Sequence, residues 1–216
     1  MPRPFIVLIG GSYSGCGKTT FGTGLIRSLG KGWAVIKYTK TGFYSSIITN
    51  REILLRDGKD TRLYLDAGAE EVLWLQSPED NLDELLSQGL ERLSLHESLK
   101  GIIVEGNSPI EFLMPDVVVF VNGHERPKKP SSIRVLERAH IIVEPSEFGK
   151  AMEETKELIE KKFLARQELL RQAPQNRIPC GLARRIAETY GIKYKEIGEM
   201  ADALGIKITN CELGCF

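Results

Sequence analysis

The stretch Ser12-Tyr13-Ser14-Gly15-Cys16-Gly17-Lys18-Thr19-Thr20 constrains this chain more than any other. It follows an apolar run, Phe5-Ile6-Val7-Leu8-Ile9, that reads as a buried strand. It leads into residues 21–29, where Gly22, Leu25, Ile26 and Leu29 recur at helical spacing. A strand, a glycine-rich turn and a helix that opens with Gly-Lys-Thr make a phosphate-binding loop of the Walker A kind. The backbone N–H groups of Gly15, Cys16, Gly17 and Lys18 can curl around a phosphate, and the helix N-terminus adds partial positive charge. Lys18 is expected at the β- and γ-phosphates and the Thr19 hydroxyl at a Mg²⁺ ion. The candidate nucleotide-binding residues are therefore Ser14, Gly15, Cys16, Gly17, Lys18, Thr19 and Thr20. The pattern asks for glycine five residues before Gly17, and Ser12 stands there. Cys16 reads as a small residue that lends its N–H, because no neighbouring base marks it as a reactive thiol.

Formal net charge is zero, which removes any bulk electrostatic case for nucleic acid or an anionic membrane as partner. No apolar run approaches membrane-spanning length. Met1-Pro2-Arg3-Pro4 runs straight into the first strand with no signal peptide, so a cytoplasmic location is expected. The four cysteines are then expected reduced, serving packing or a metal rather than disulfides.

The chain continues as alternating strands and helices. Trp33 to Thr39 reads as a second strand, and Lys37 and Lys40 at its end are candidates to face a phosphate-bearing ligand, or else are ordinary solvated lysines. Residues 41–57 read as a loop. Asp60 or Thr61 can cap a helix that ends near Gly68. Val72 to Leu75 reads as a strand, and residues 78–99 as a leucine-spaced helix with Asp80 and Asn81 near its start as caps. Gly101-Ile102-Ile103-Val104-Glu105-Gly106 is an apolar strand ending in a carboxylate, the Walker B pattern, so Glu105 is the candidate partner of Thr19 at Mg²⁺. Asp116 to Val121 and Ala139 to Val143 complete the strands, with a basic proline-bearing loop at 126–130 between them. The order βαβ predicts an α/β fold with a mostly parallel sheet and flanking helices, P-loop NTPase-like.

Four blocks carry a resemblance: Tyr13 to Thr20, Ile36-Lys37-Tyr38-Thr39, Gly58-Lys59-Asp60-Thr61 with Ala67-Gly68-Ala69, and Val104-Glu105-Gly106. With them, residues 4–145 resemble the molybdopterin-guanine dinucleotide biosynthesis protein B (MobB-type) family. The resemblance implies a homodimeric, GTP-binding adapter with weak Mg²⁺-dependent hydrolysis. It would assist guanine nucleotide attachment to molybdopterin beside a molybdopterin nucleotidyltransferase or a molybdoenzyme maturation partner. Lys37, Lys40 and Asp60 become candidates for the pterin side. A histidine common after the second strand is Tyr38 here, and an aromatic and a lysine that usually follow Val-Glu-Gly are Asn107 and Ser108. No Asn-Lys-x-Asp guanine signature is present, and Asn122 is a candidate base contact.

Residues 1–145 thus read as a nucleotide-binding domain, 146–173 as a connecting helix and 174–216 as a small, mainly helical module. Residues 181–206 have helix-turn-helix spacing, with Ala187, Gly191 and Ile197 at the small, turn and core positions. Its second helix carries Glu196, Glu199 and Asp202 against Lys193 and Lys195, which argues against DNA and for docking or structure. Cys180, Cys211 and Cys215 are candidate ligands for a soft metal or an iron–sulfur cluster; core packing, or a disulfide between Cys211 and Cys215, are the alternatives. The alternative to a cofactor-synthesis adapter is a nucleotide-dependent switch whose terminal module docks a partner or DNA, or senses a metal.

Overall fold

The computed structural model describes residues 3–125 and 128–210. Residues 4–156 form one compact unit, and the described residues from Glu157 onward, with Arg3, form another. The first unit runs β1 (Phe5–Gly11), α1 (Lys18–Leu29), β2 (Trp33–Lys40), β3 (Ser46–Ile48), α2 (Arg51–Leu54) and α3 (Asp60–Asp66). It continues β4 (Val72–Ser77), α4 (Leu82–Ser94), β5 (Gly101–Glu105), β6 (Val117–Val121), α5 (Pro130–Glu137) and β7 (Ile141–Val143), then the start of α6 (Phe148–Gln172).

Among the described residues seven strands form one sheet in the order β3-β4-β2-β5-β1-β6-β7. All neighbours are parallel except β3, which runs antiparallel on β4 at one edge. Every residue of β1, β5 and β6 is buried, as expected of central strands covered on both faces, which is why they read as unbroken apolar runs. On one face Ile6, Ala34, Ile36, Leu73, Leu75 and Val104 pack on the leucines of α4, and Leu8, Val118 and Phe120 pack on Val135 of α5. α1 and α3 pack on each other. Phe148, opening α6, stacks edge-on against Phe21 of α1. No helix among the described residues is long and apolar enough to cross a membrane.

Several local expectations need correction. The stretch 41–57, expected as a loop, holds β3 and α2, and α2 is capped by Asn50, whose Oδ1 accepts from the Glu52 N–H at 2.8 Å. Neither Asp60 nor Thr61 caps α3. Lys59 occupies that position, Thr61 donates to the Leu54 carbonyl at 2.8 Å, and Asp60 turns to Lys37. The expected helix over 78–99 is a 3-10 turn, Glu79–Asn81, followed by α4, which stops at Ser94. Asn81 precedes α4, but its amide donates to Ser45 rather than capping. Of the basic loop, Arg126 and Pro127 lie outside the described residues, and Pro130 opens α5 at a position where proline's missing N–H costs nothing.

The second unit holds the rest of α6, then β8 (Arg177–Pro179), α7 (Cys180–Tyr190), α8 (Tyr194–Ala203) and β9 (Lys207–Thr209). α7 and α8 form the expected helix pair, turned by Gly191 in a left-handed conformation (φ 64°). Ala165, Leu169, Ala183, Ile186, Ala187, Ile197, Met200 and Ala201 make its core. Lys162 and Glu196, 2.7 Å apart and largely buried, tie α6 to α8. The parallel pair β8–β9 was not legible, being three residues a side. Cys180 begins α7 half-buried, and Cys211 and Cys215, the residues expected to group with it, lie outside the described residues.

In the first unit the N–H of Ile6 donates to the buried Asp116 carboxylate at 2.8 Å, which fixes the entry of β6 beside β1. Asp116→Ala should cost about 1–3 kcal/mol, the range for a buried backbone donor left unpaired. A fall in the urea midpoint at unchanged slope checks this.

Candidate functional site

β1, β2 and β5 all end at the same edge of the sheet. From β1 the chain crosses to β2 on one side, and from β5 it crosses back to β6 on the other. A crevice forms beyond strand ends where connections diverge in this way. Here it is a cleft of about 1650 Å³ lined by the 13–20 loop, the ends of β2 and β5, Asp60, and the start of α5.

The loop's shape follows from its residues. Gly15 (φ 91°) and Gly17 (φ 99°) adopt left-handed conformations that suit glycine. Gly17 precedes α1 without a side-chain cap, so the first amides of α1 remain for a ligand beside the cleft. The Lys18 ammonium folds back over the loop to the Tyr13 carbonyl at 2.8 Å. Ser12, the departure from the glycine pattern, is fully buried. Its hydroxyl donates to Asn122 Oδ1 and accepts from the Gly123 N–H, at 3.2 and 3.1 Å, tying the loop to the end of β6. The Cys16 thiol is buried against the Val121 carbonyl, in keeping with a packing role.

Glu105 is the convergence point. Its carboxylate is 1% exposed. Thr19 Oγ1 lies 3.0 and 3.2 Å from its two oxygens. The strand register sets Lys37 of β2 directly beside Glu105 of β5, and their side chains form an ion pair. The Lys37 ammonium also reaches Asp60 at 2.8 Å and Thr19 Oγ1 at 3.4 Å. Burial pulls the Lys37 pKa down, but the Glu105 charge and the bond to Asp60 outweigh it, so the group stays cationic with its pKa raised. The third partner of Glu105 is Tyr64 of α3, whose hydroxyl donates to Glu105 Oε2 at 2.7 Å. Burial first, and the neighbouring Glu105 charge second, push the Tyr64 pKa well up and keep it a donor.

The far wall is charge-balanced too. Lys40 pairs with Glu79 at 2.6 Å, and Ser108 donates to the same carboxylate at 2.7 Å. The bond from Lys40, then that from Ser108, holds Glu79 below the usual carboxylate range. Arg134 of α5 pairs with Glu111.

The structure thus brings Thr19, Lys37, Asp60 and Glu105 together, while Lys18 lines the same cleft with its ammonium on the Tyr13 carbonyl and Lys40 pairs with Glu79. Ser14, Gly15 and Thr20 line the cleft from the loop side. Asn122, the candidate base contact, has its Oδ1 accepting from Ser12 and its Nδ2 donating to Glu144 at 2.7 Å. The Tyr38 hydroxyl is buried and donates to the Ser77 carbonyl at 3.0 Å. Among the described residues no cluster of three or more His, Cys, Asp or Glu suits a metal. Sequence reading misses Tyr64, and it misses the contact that Asn107 makes with the end of β1. Asn107 pairs both of its amide atoms with the backbone of Gly11, at 2.8 and 2.9 Å, and so steadies the end of β1. Neither carries a local signal, because each contact spans dozens of residues. Comparison with protein-family models, with curated proteins and with solved structures finds no match for the chain.

Tyr64 can approach Glu105 because α1 has glycine at position 22. A Cβ there would stand 2.9 Å from Tyr64 Cζ and closer still to the hydroxyl. Gly22→Ala and Tyr64→Phe should each destabilise by about 1–3 kcal/mol, one by overpacking and one by stripping a donor from a buried carboxylate. Because phenylalanine lacks the crowded hydroxyl, the double variant should cost less than the sum. Denaturant titration of the four proteins reads the coupling, and strict additivity would contradict it.

Proposed function

We propose that the chain is a P-loop nucleotide-binding protein that takes GTP with Mg²⁺ in this cleft. The observation that carries the reading is the meeting of the Thr19 hydroxyl, at the first turn of α1, with the Glu105 carboxylate across 86 residues of chain. Both are hard oxygen donors, and Mg²⁺ is commonly held by one or two such groups, several waters and the substrate's own phosphates. The donor set therefore fits the ion. When bound, Mg²⁺ would neutralise charge on the β- and γ-phosphates. Lys18 and the amides of residues 15–19 would cradle those phosphates, and Thr19 and Glu105 would orient the metal. Hydrolysis is expected to be slow, because Glu105 would be taken up by the metal and Asp60 pairs with Lys37 at 2.8 Å, so neither carboxylate near the loop is free to draw a proton from water.

The guanine preference and the biological role rest on the resemblance of the four sequence blocks to the molybdopterin-guanine dinucleotide biosynthesis protein B family. On that reading the chain is an accessory in molybdenum or tungsten cofactor synthesis. It acts with a molybdopterin nucleotidyltransferase or a maturation partner, as a homodimer. The cleft's size supports the reading: about 1650 Å³ exceeds the roughly 300–1,000 Å³ of ordinary ligand pockets and leaves space beside a nucleotide for a second ligand.

Lys18→Ala should remove most GTP affinity without unfolding the protein, since it deletes the charge facing the terminal phosphates. Calorimetry with GTP and Mg²⁺ tests it, and unchanged affinity would sink the site. Thr19→Ala and Glu105→Gln should weaken binding more with Mg²⁺ than in chelator. Serving one ion, they should also be non-additive. Equal losses in chelator would leave Glu105 a strand-end charge.

A further inference from the structure

Lys37 needs its own explanation. A cation at this point of β2 is not there for packing: the strand's neighbours Val35 and Ile36 are fully buried and apolar. Its ammonium is in contact with Glu105, within 3.4 Å of Thr19 Oγ1 and 2.8 Å from Asp60. These are the positions where the metal proposed above would sit. We propose that Lys37 is a specificity-determining residue of the metal site. It excludes free divalent cations from Thr19 and Glu105 and lets a metal in together with a nucleotide's phosphates.

The inference rests on the nucleotide reading and deepens it. An ammonium and a divalent ion compete for one buried carboxylate, because like charges a few ångströms apart repel strongly where water is scarce. A metal arriving alone must therefore drive Lys37 off Glu105 and leave the ammonium with only Asp60, which is 49% exposed at the cleft. A metal arriving with phosphates brings replacement anions within reach of the same flexible side chain. Exchange is then balanced: Glu105 trades an ammonium for the metal, and Lys37 trades a carboxylate for a phosphate oxygen. Tyr64 and the Thr19 hydroxyl stay beside Glu105 throughout, so its position does not depend on which cation it holds.

The experiment is a Mn²⁺ titration of the nucleotide-free full chain, followed by electron paramagnetic resonance, for the wild type, Lys37→Gln and Lys37→Arg. Lys37→Gln should bind free Mn²⁺ about ten- to a thousandfold more tightly than wild type, taking as the scale the range over which one adjacent opposite charge changes proton binding to a carboxylate. Lys37→Arg, which keeps a cation there, should stay as weak as wild type. A gain in affinity is not something a damaged fold produces. Adding GTP should tighten Mn²⁺ binding strongly in wild type and much less in Lys37→Gln. GTP binding is measured separately in chelator. GTP bound there, with free Mn²⁺ affinity in Lys37→Gln unchanged or weaker, would overturn the inference alone. A gain in Mn²⁺ affinity with no GTP binding would overturn the nucleotide reading and, with it, the phosphate exchange.

Discussion

A single buried carboxylate governs the site. Glu105 is almost wholly removed from water, and an ionised group in that position is costly unless it is paired and hydrogen-bonded. Its partners come from three different elements: Thr19 from α1, Lys37 from β2 and Tyr64 from α3. Each element is therefore held in place partly by its share of the same charge. Removing one partner exposes the others to an unsatisfied buried anion, so the first helix, the second strand and the third helix are coupled through a single residue.

The same economy extends across the cleft. Lys40 is matched by Glu79, and Arg134 by Glu111, so the cations lining the cleft are balanced by neighbouring carboxylates. A phosphate group entering such a site exchanges partners rather than filling an excess of positive charge. That agrees with a chain of zero net charge, in which selectivity has to come from local geometry rather than from the long-range field. The loop is anchored independently of any ligand, by Ser12 on the end of β6 and by Asn107 on Gly11. Its glycines supply the curvature, and these two polar side chains fix where the curve begins.

Much of this was legible in the sequence because its signals are local. The apolar runs of β1, β5 and β6, the glycine loop and the carboxylate closing β5 each lie within a few residues, and together they gave the parallel α/β order and the meeting of Thr19 with Glu105. The edge elements were less legible. β3 and α2 are three and four residues long, too short for any periodicity, and α5 was hidden behind the prolines of the preceding loop. Asp60 and Thr61 read as caps in the sequence because their residue types serve caps and other contacts alike, and only the fold reveals Lys37 2.8 Å from Asp60 and the Leu54 carbonyl 2.8 Å from Thr61. Tyr64 and Asn107 work across 41 and 96 residues. Their roles depend on strand register and helix packing that no window of sequence contains.

The central claim, that the loop and Glu105 hold a metal–nucleotide complex, is tested most directly by phosphorus NMR of GTP mixed with the protein and titrated with Mn²⁺. The expected result is a saturable shift of the β- and γ-phosphorus resonances on binding. Those two should then broaden more strongly than the α-phosphorus as Mn²⁺ fills the site between Thr19 and Glu105. Resonances that match those of free GTP at every protein and metal concentration would contradict it.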